Sequence, residues 1–355
     1  MKRRAEELIR ALWERRSLEK LEYEELLSLR DADSAALLRS LAKKARESTY
    51  RNRVFLRALI EISNVCKNDC LYCGVRASNK NVCRFSLTDE EILSSCAEGY
   101  ALGLRTFVLQ GGEDARFTDK RLTSLITNIK RTCPEAAVTL SLGERSRKSY
   151  TALRNAGADR YLLRHETANA AHYASLHPEN MRLETRMRCL SDLKELGFQV
   201  GAGFMVGSPN QTLSHLAEDL QFIETFRPQM CGIGPFLPQH DTPFAKEPAG
   251  DTDLCLYLLS ILRILDPALL LPATTALATA HENGTILGLE AGANVIMPNL
   301  SPRRAKENYV LYDGKKITGD QNAANLETLK QTLATAGYVP DFSRGDYRKE
   351  HHGTL

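Results

Sequence analysis

The sequence predicts an α/β fold: a TIM (β/α)8 barrel preceded by an N-terminal helical extension. From Phe55 onward, short β-type runs alternate with amphipathic helical stretches, which is typical of a parallel sheet. The β-type runs number eight, the strand count that closes such a barrel. The predicted strands are Leu56–Ile62, Arg105–Leu109, Ala137–Leu142, Asp159–Leu163, Gln199–Met205, Met230–Gly234, Leu269–Ala273 and Ala293–Met297.

The segments on either side of the barrel are predicted to be mainly helical. Apolar residues on single faces, with charges between them, indicate a helical extension over 1–50, followed by the barrel over 51–320. The remainder, 321–355, is predicted to form a last helix over 322–336 and a tail. We expect the polar tail after Tyr338 to be loosely held.

One helix start is explicit in the sequence. Thr88 is a predicted N-cap, and Glu91, three residues later, completes a capping box. Leu87 and Ile92 flank this pair as the hydrophobic staple. We therefore expect a helix to begin directly after Thr88.

Composition and charge exclude several classes of function. The 355 residues carry a formal net charge of +3, which is too balanced to indicate nucleic-acid binding. The most apolar run, Leu254–Leu271, contains Arg263 and Asp266 and predicts no membrane span. No signal peptide is evident, so we expect a cytoplasmic protein. The odd count of nine cysteines then favours metal or redox sites over disulfides.

Three of these cysteines form a C-x3-C-x2-C motif directly after the first predicted barrel strand. Cys66, Cys70 and Cys73 supply soft thiolates, which are the ligands of iron–sulfur clusters. A 4Fe–4S cubane held by three ligands keeps one iron open for a substrate. The alternative is a closed structural zinc or cluster site, with Cys83 as a fourth ligand.

The motif, with aromatic Tyr72 before its last cysteine, resembles the signature of the radical SAM superfamily. The resemblance implies that Cys66, Cys70 and Cys73 hold a single catalytic 4Fe–4S cluster whose open iron binds S-adenosyl-L-methionine. It further implies that an external electron donor supports reductive cleavage of this cofactor to a 5′-deoxyadenosyl radical.

Other positions match the same superfamily. Gly111, Gly112 and Glu113 follow the second predicted strand and resemble its "GGE" motif, in which bare glycines permit close backbone approach. The resemblance implies that Glu113 accepts from the ammonium group of S-adenosylmethionine. It also implies that Tyr72 and Met205 lie near the adenosyl group, although Tyr72 could instead be ordinary packing.

Three further runs resemble the HydE family of FeFe-hydrogenase maturases, whose relatives include biotin synthase and methylornithine synthase. They are 161–169 (YLLRHETAN), 232–238 (GIGPFLP) and 272–276 (PATTA). The likeness extends from about Arg53 to Tyr312, which is most of the chain.

This resemblance implies that some residues bind S-adenosylmethionine and that others face the substrate. Glu166 and Arg186 would bind S-adenosylmethionine, unless Arg186 is simply a solvated helix position. Arg164, two residues before Glu166, would face the same cavity on extended backbone. The residues implied to face the substrate are Arg164, Thr274, Thr275, Tyr309 and Tyr312, with strand-end capping as the alternative for the two threonines.

The function implied is the maturation of the diiron cluster of FeFe hydrogenase, by radical chemistry on a sulfur-containing small molecule and in concert with other hydrogenase maturases. Because no cysteine follows Cys255, we expect no second cluster near the C-terminus. Two alternatives stay open: a carbon-skeleton mutase of the methylornithine synthase type, and a non-catalytic iron–sulfur or zinc protein.

Overall fold

Three helices precede the barrel in the computed structural model, which describes residues 2–315 and 323–348. They are α1 (Lys2–Arg15), α2 (Lys20–Ser28) and α3 (Ala32–Tyr50). Their apolar faces join one core, because the side chains of Leu8, Leu12 and Leu38 are buried there. The predicted N-terminal helical extension is confirmed.

The remaining elements alternate between strands and helices. The strands are β1 (Arg53–Leu56), β2 (Ala58–Ser63), β3 (Thr106–Gly111), β4 (Ala137–Ser141), β5 (Arg160–Leu162), β6 (Gln199–Ala202), β7 (Met205–Val206), β8 (Met230–Cys231), β9 (Gly234–Pro235), β10 (Val295–Ile296) and β11 (Val339–Asp341). The helices are α4 (Asp89–Ala101), α5 (Asp119–Thr132), α6 (Arg147–Asn155), α7 (Ala170–Leu176), α8 (Leu183–Glu195), α9 (Leu213–Phe226), α10 (Thr252–Leu265), α11 (Thr275–Ala280), α12 (Gly284–Glu290), α13 (Arg303–Asn308) and α14 (Ala323–Thr335).

The strands close into a parallel barrel. Six of them form one sheet in the order β2-β3-β4-β5-β6-β8, with every pair parallel. Single parallel bridges from Met230 to Leu270 and from Pro272 to Val295 continue the barrel to β10. Strand β10 pairs with β1, which leads through Arg57 into β2, and a parallel bridge between Leu59 and Asn299 closes the circle. The predicted barrel is confirmed, but its seventh predicted strand, Leu269–Ala273, is reduced to two isolated bridges.

Alternation along each strand separates the outer core from the barrel interior. Phe107 and Leu109 of β3 pack into the core shared with the helices. Because side chains on a strand alternate, Gln110 near the end of β3 faces the opposite side, towards the interior. Glu61 of β2 is paired with Gln110 in register and is fully buried. The interior therefore carries polar side chains near the carboxyl ends of the strands.

The predicted capping box begins helix α4 as expected. Thr88 Oγ1 accepts from the Glu91 N–H at 3.2 Å, and Glu91 Oε2 accepts from the Thr88 N–H at 2.8 Å. Within residues 2–315 and 323–348, none of the helices combines the length and apolarity needed to cross a membrane.

The expectation of a loosely held C-terminal tail is wrong for residues 339–348. Strand β11 pairs with β1, and the chain after it contacts the amino-terminal end of the barrel. Arg160 donates to the Arg344 carbonyl at 2.6 Å and to Asp346 Oδ1 at 2.7 Å, while Arg57 donates to the Gly345 carbonyl at 3.1 Å. Buried guanidinium groups need such acceptors, which is why this polar segment is held.

Candidate functional site

The candidate site lies at the carboxyl ends of the barrel strands, where barrel active sites are built. The segment 64–86, called here the cysteine loop, follows β2 and is closed at its base by an antiparallel bridge between Ser63 and Ser86. Asn64 fastens this base, because its side chain accepts from the Phe85 N–H at 2.7 Å and donates to the Asn308 carbonyl at 2.7 Å.

The three motif cysteines differ from the other buried thiols of the chain. Cys66, Cys70 and Cys73 are partly exposed and unpaired. Burial raises the pKa of all three thiols, that of Cys73 to about 12, and for Cys70 and Cys73 neighbouring motif thiols raise it further. The three thiols are therefore neighbours in one loop. Five other cysteines are fully buried, as expected for small apolar side chains: Cys96, Cys133, Cys189, Cys231 and Cys255.

Cys83, the possible fourth ligand, differs from these three cysteines in its exposure to solvent. Its side chain is exposed, and its carbonyl accepts from the Asn64 side chain at 2.9 Å. In the part of the chain that the structure describes, no three His, Cys, Asp or Glu side chains converge on a point suited to one metal ion. A cubane does not need such convergence, because each thiolate binds a different iron.

Arg84 organises the cysteine loop from inside, which sequence reasoning missed. Its guanidinium donates to the carbonyl oxygens of Asn64 at 2.6 Å, Val75 at 2.7 Å, Arg76 at 2.5 Å and Asn79 at 3.0 Å. A planar fork with five N–H donors suits such a set of carbonyls. Nothing in the local pattern distinguished Arg84 from a solvated arginine.

The Gly-Gly-Glu turn after β3 packs directly against the cysteine loop. A Cβ on Gly112 would lie 2.3 Å from the Val65 carbonyl oxygen and 2.8 Å from Cys66 Cβ, so only glycine fits there. The Glu113 N–H points at Cys66 Sγ at 3.4 Å, and Gly111 continues β3 beside Ser63.

The carboxylate of Glu113 lies between two partners. Oε1 accepts from the Glu144 N–H at 2.9 Å, and Oε2 lies 3.0 Å from the ammonium of Lys67. A Cβ on Gly143, which has φ +72°, would overlap this carboxylate, so the β4 loop is shaped around it.

Arg164 and Glu166 meet after the end of β5, but not on the extended backbone that was expected from their spacing. Arg164 Nη2 lies 2.9 Å from Glu166 Oε2, but the alignment is poor, and neither atom makes a hydrogen bond among the described residues. Glu166 has φ +66°, which is rare for a residue other than glycine and turns its side chain away from the strand direction. His165 between them faces away and bonds Asp219 at 3.2 Å, as expected for a structural residue.

Arg186 of α8 is buried, so its interpretation as a solvated helix position is wrong. Its Nε donates to Glu144 Oε1 at 2.6 Å, and its Nη1 donates to the Arg164 carbonyl at 2.5 Å. Glu144, which follows Gly143 in the β4 loop, is a second residue that sequence reasoning missed. Arg186 thus joins the β4 and β5 loops beside the cysteine loop.

Tyr72 and Met205 lie in one apolar cluster with Leu176 and Phe236. Nδ1 of buried His177 donates to the Tyr173 carbonyl at 2.9 Å, so Nε2 of the neutral ring is an acceptor. The Tyr72 hydroxyl donates to this Nε2 at 3.2 Å. Burial lowers the pKa of His177 to about 4, so its ring is neutral near pH 7. Helix α7 therefore fixes the aromatic residue of the motif.

Two of the predicted substrate residues follow helix α13. Tyr309 is buried, and its hydroxyl accepts from Gln110 at 3.4 Å, while its carbonyl accepts from Lys315 at 2.7 Å. Lys315 also donates to Glu61 Oε1 at 2.5 Å. Tyr312 is partly buried. The Glu61–Lys315 pair, absent from the predicted site, adds opposite charges to the cavity.

Thr274 and Thr275 occupy the start of α11. Thr274 Oγ1 accepts from the Leu277 N–H at 3.4 Å as the N-cap, which is the capping role considered from the sequence. A capping hydroxyl can still donate its own hydrogen to a ligand. Both threonines stand at the mouth of the barrel after the seventh strand position.

Comparison with known proteins identifies the family. A family profile described as the Radical SAM superfamily matches residues 60–223. The FeFe-hydrogenase maturase subunit HydE from Thermotoga maritima is 42% identical over 327 residues, which cover 92% of this chain and 93% of that protein. The chain belongs to the radical SAM superfamily. As a radical SAM enzyme and a homologue of HydE, it is expected by family to use a 4Fe–4S cluster and S-adenosylmethionine.

The chain is also similar to methylornithine synthases, both in sequence and in structure. The 3-methylornithine synthase from Methanosarcina barkeri is 30% identical over 317 residues, covering 89% of this chain and 88% of that protein. The crystal structure of methylornithine synthase PylB superposes with a TM-score of 0.82 at 26% identity, covering 94% of this chain and 97% of that chain.

The residues present suit the two groups that radical SAM enzymes use. Three free thiols in one loop match the soft donor set of an iron–sulfur cluster. Arg164 Nε, which is buried without a hydrogen bond among the described residues, and the poorly aligned Arg164–Glu166 ion pair are polar groups that retain hydrogen-bonding capacity at the same mouth. A polar ligand such as S-adenosylmethionine would satisfy them.

Proposed function

We propose that this radical SAM enzyme is a maturase of the HydE type, acting on a sulfur-containing small molecule during assembly of the diiron cluster of an FeFe hydrogenase. The observation that carries the proposal is the meeting, at one barrel mouth, of the cysteine loop, Glu113 and the Arg164–Glu166 pair. The 42% identity to HydE over nearly the whole chain supports the maturase assignment.

In this proposal Cys66, Cys70 and Cys73 hold one 4Fe–4S cluster, and Gly112 lets the β3 turn approach it. When bound, such a cluster supplies the electron for reductive cleavage of S-adenosylmethionine, and an external donor replaces that electron. The protein contributes binding, orientation and exclusion of water around the reacting bond.

Three charged residues orient S-adenosylmethionine in this proposal. Glu113 accepts from its ammonium group, a role supported by the Lys67 ammonium that lies 3.0 Å from the same carboxylate. Glu166 accepts from the ribose hydroxyls through Oε2, which lacks a hydrogen bond among the described residues. Arg186, held by Glu144, presents its charge beside the cysteine loop, while Tyr72 and Met205 face the adenosyl group.

The substrate lies deeper in the barrel, between Arg164 and the segment that bears Tyr309 and Tyr312. Arg164 Nε is buried without a partner among the described residues, so it can donate to an anionic group. Thr274 and Thr275 supply hydroxyl or backbone donors to the same group. We further propose that other maturases supply the substrate or receive the product in the cytoplasm.

The substrate proposal is tested by product formation. Reduced, iron-loaded protein is incubated with S-adenosylmethionine and either a small thiol amino acid or lysine, and 5′-deoxyadenosine is measured. Stimulation by the thiol compound supports the maturase proposal. Stimulation by lysine alone would instead support the carbon-skeleton mutase, which the 30% identity to 3-methylornithine synthase keeps as the second candidate.

The metal proposal has its own test in the cysteines. Serine replacements at Cys66, Cys70 and Cys73 should each reduce iron far below the roughly four atoms per chain of a cubane. Cys83→Ser should retain iron, because this exposed side chain is no ligand in the proposal. Loss of metal in Cys83→Ser would favour a closed, non-catalytic site.

A further inference from the structure

The Arg84 side chain reaches across the interior of the cysteine loop to several of its carbonyls. Its donors span from Asn64 at the base to Val75, Arg76 and Asn79, which follow Cys73. The loop is therefore folded around a guanidinium group, close in sequence and space to the motif cysteines. Removing that group would leave several carbonyl oxygens without donors.

The charge of Arg84 is not neutralised by its partners. All four acceptors are backbone carbonyls, and none of the ion pairs among residues 2–315 and 323–348 includes Arg84. Arg76 on the same loop differs, since its Nη2 lies 2.8 Å from Asp69 Oδ2. The cysteine loop thus contains one partly buried cation with no carboxylate against it.

An anionic ligand is the natural counter-charge for such a cation. A cubane with three thiolates carries a net negative charge, which grows when the cluster takes up an electron. A fixed positive charge nearby stabilises the reduced state more than the oxidised state, and partial burial strengthens the effect relative to water.

We propose that Arg84 is a positioning residue for the iron–sulfur cluster and that its charge raises the reduction potential of that cluster. The proposal rests on the proposed binding of the cluster by Cys66, Cys70 and Cys73. Arg84 acts in two ways: its hydrogen bonds set the loop that carries the thiolates, and its charge favours the electron uptake that precedes S-adenosylmethionine cleavage.

The test compares three variants of the full-length, iron-loaded protein by redox titration, following the electron paramagnetic resonance signal of the reduced cluster. Arg84→Gln removes the charge and the fork. Arg84→Lys keeps the charge but loses the fork. Lys80→Gln is the matched control, because it removes the same charge from an exposed position of the same loop, where solvent screens it.

We expect Arg84→Gln to disfavour one-electron reduction at least tenfold, which corresponds to a fall of about 59 mV in the midpoint potential. Arg84→Lys should recover most of this difference, and Lys80→Gln should match the wild type. Cluster assembly by Arg84→Lys but not by Arg84→Gln would also support the proposal, since these two variants share the loss of the fork.

Equal potentials in Arg84→Gln and Arg84→Lys, or equal failure of both to assemble a cluster, would overturn the proposed role of the charge. A shift in Lys80→Gln as large as that in Arg84→Gln would overturn it as well. These results differ from failure of the proposed function, in which the wild type itself holds no cubane. Iron content and potential are both read without turnover.

Discussion

At the scale of single residues, the most consequential addition to the predicted site is the ion pair of Glu61 and Lys315. The Glu61 side chain is 1% exposed and that of Lys315 is 10% exposed, at a distance of 2.5 Å. Glu61 Oε2 makes no hydrogen bond among the described residues. Such a pair depends on both members, because a lone charge in this position would be buried without compensation.

Lys315→Met should therefore lower the free energy of unfolding by about 3–5 kcal/mol, since it removes the cation that pairs with the buried Glu61 carboxylate. The double variant Glu61→Gln/Lys315→Met should recover more than half of that loss, because no charge remains to be buried. Urea denaturation of the three proteins measures both values. A double variant as unstable as Lys315→Met would contradict this reading of the pair.

His177 should make the stability of the protein sensitive to mild acid. Burial lowers the pKa of His177 to about 4 from an ordinary 6.5. Between these two values the unfolded chain binds a proton at His177, while the ring stays neutral in the folded chain. The free energy of unfolding therefore falls as the pH drops from about 6.5 towards 4.

Between pH 7.0 and 5.5 this residue should cost about 1 kcal/mol of stability. His177→Gln should lose correspondingly less over the same interval, as measured by urea denaturation at the two pH values. His172, whose pKa burial also lowers to about 4, stays in both proteins and contributes equally. Identical losses in the two proteins would rule out the assigned ionisation of His177.

Residue-level prediction from the sequence was most specific where chemistry is local in the chain. The cysteine spacing predicted three thiols in one loop, and they are neighbours there, while their role as cluster ligands stays a prediction. Such prediction did not find partners that are distant in the chain: Arg186 was expected at the S-adenosylmethionine site, but its partner Glu144, 42 positions earlier, was not foreseen. Arg186 itself was expected at the site only through the resemblance to the HydE family, because local polarity gives no such indication.

At the scale of elements, the fit between the cysteine loop and the β3 turn decides whether the thiols are presented together. Gly112→Ala would place a methyl group 2.3 Å from the Val65 carbonyl oxygen. This clash with backbone can be relieved only if the cysteine loop moves. We expect iron incorporation to fall at least severalfold while the far-ultraviolet circular dichroism of the barrel is retained.

Gly232→Ala is the control for this prediction. The nearest heavy atom to its new methyl group is Pro272 Cγ at 3.8 Å, an ordinary contact. Iron content in Gly232→Ala should equal that of the wild type. Full iron loading in Gly112→Ala would show that the close approach of the two loops is dispensable.

Elements with strong local signals were predictable. Thr88 and Glu91 predict the start of helix α4, and both hydrogen bonds of their capping box are present. The seventh strand was overpredicted because Leu269–Ala273 has the composition of a buried strand, while its pairing is limited to the bridges at Leu270 and Pro272. Pro272 cannot donate a ladder hydrogen bond, which shortens the strand.

At the scale of the whole molecule, the C-terminal segment seals the amino-terminal end of the barrel. Arg57 and Arg160 point into this end and donate to the carbonyls of Arg344 and Gly345 and to Asp346. These contacts join residues more than 180 positions apart in sequence. The sequence of the tail shows only that it is polar, so its ordered packing against distant arginines could not be predicted from it.

Truncation after Pro340 should destabilise the protein by several kcal/mol, because it removes the oxygen acceptors that the C-terminal segment supplies to two buried guanidinium groups. Truncation after Arg348 retains every one of these acceptors and should give a higher thermal midpoint than truncation after Pro340. Differential scanning fluorimetry of the two truncated proteins and the wild type distinguishes them. Equal midpoints for all three would refute a sealing role for residues 341–347.

The central claim is that the cysteine loop and the barrel mouth together cleave S-adenosylmethionine reductively. The most direct measurement is 5′-deoxyadenosine formed anaerobically by dithionite-reduced, iron-loaded protein, beside a Cys70→Ser control. The account predicts deoxyadenosine from the wild type and at least a hundredfold less from Cys70→Ser, because two thiolates cannot hold the cluster in place. Absence of deoxyadenosine from wild type that carries about four irons per chain would contradict the claim.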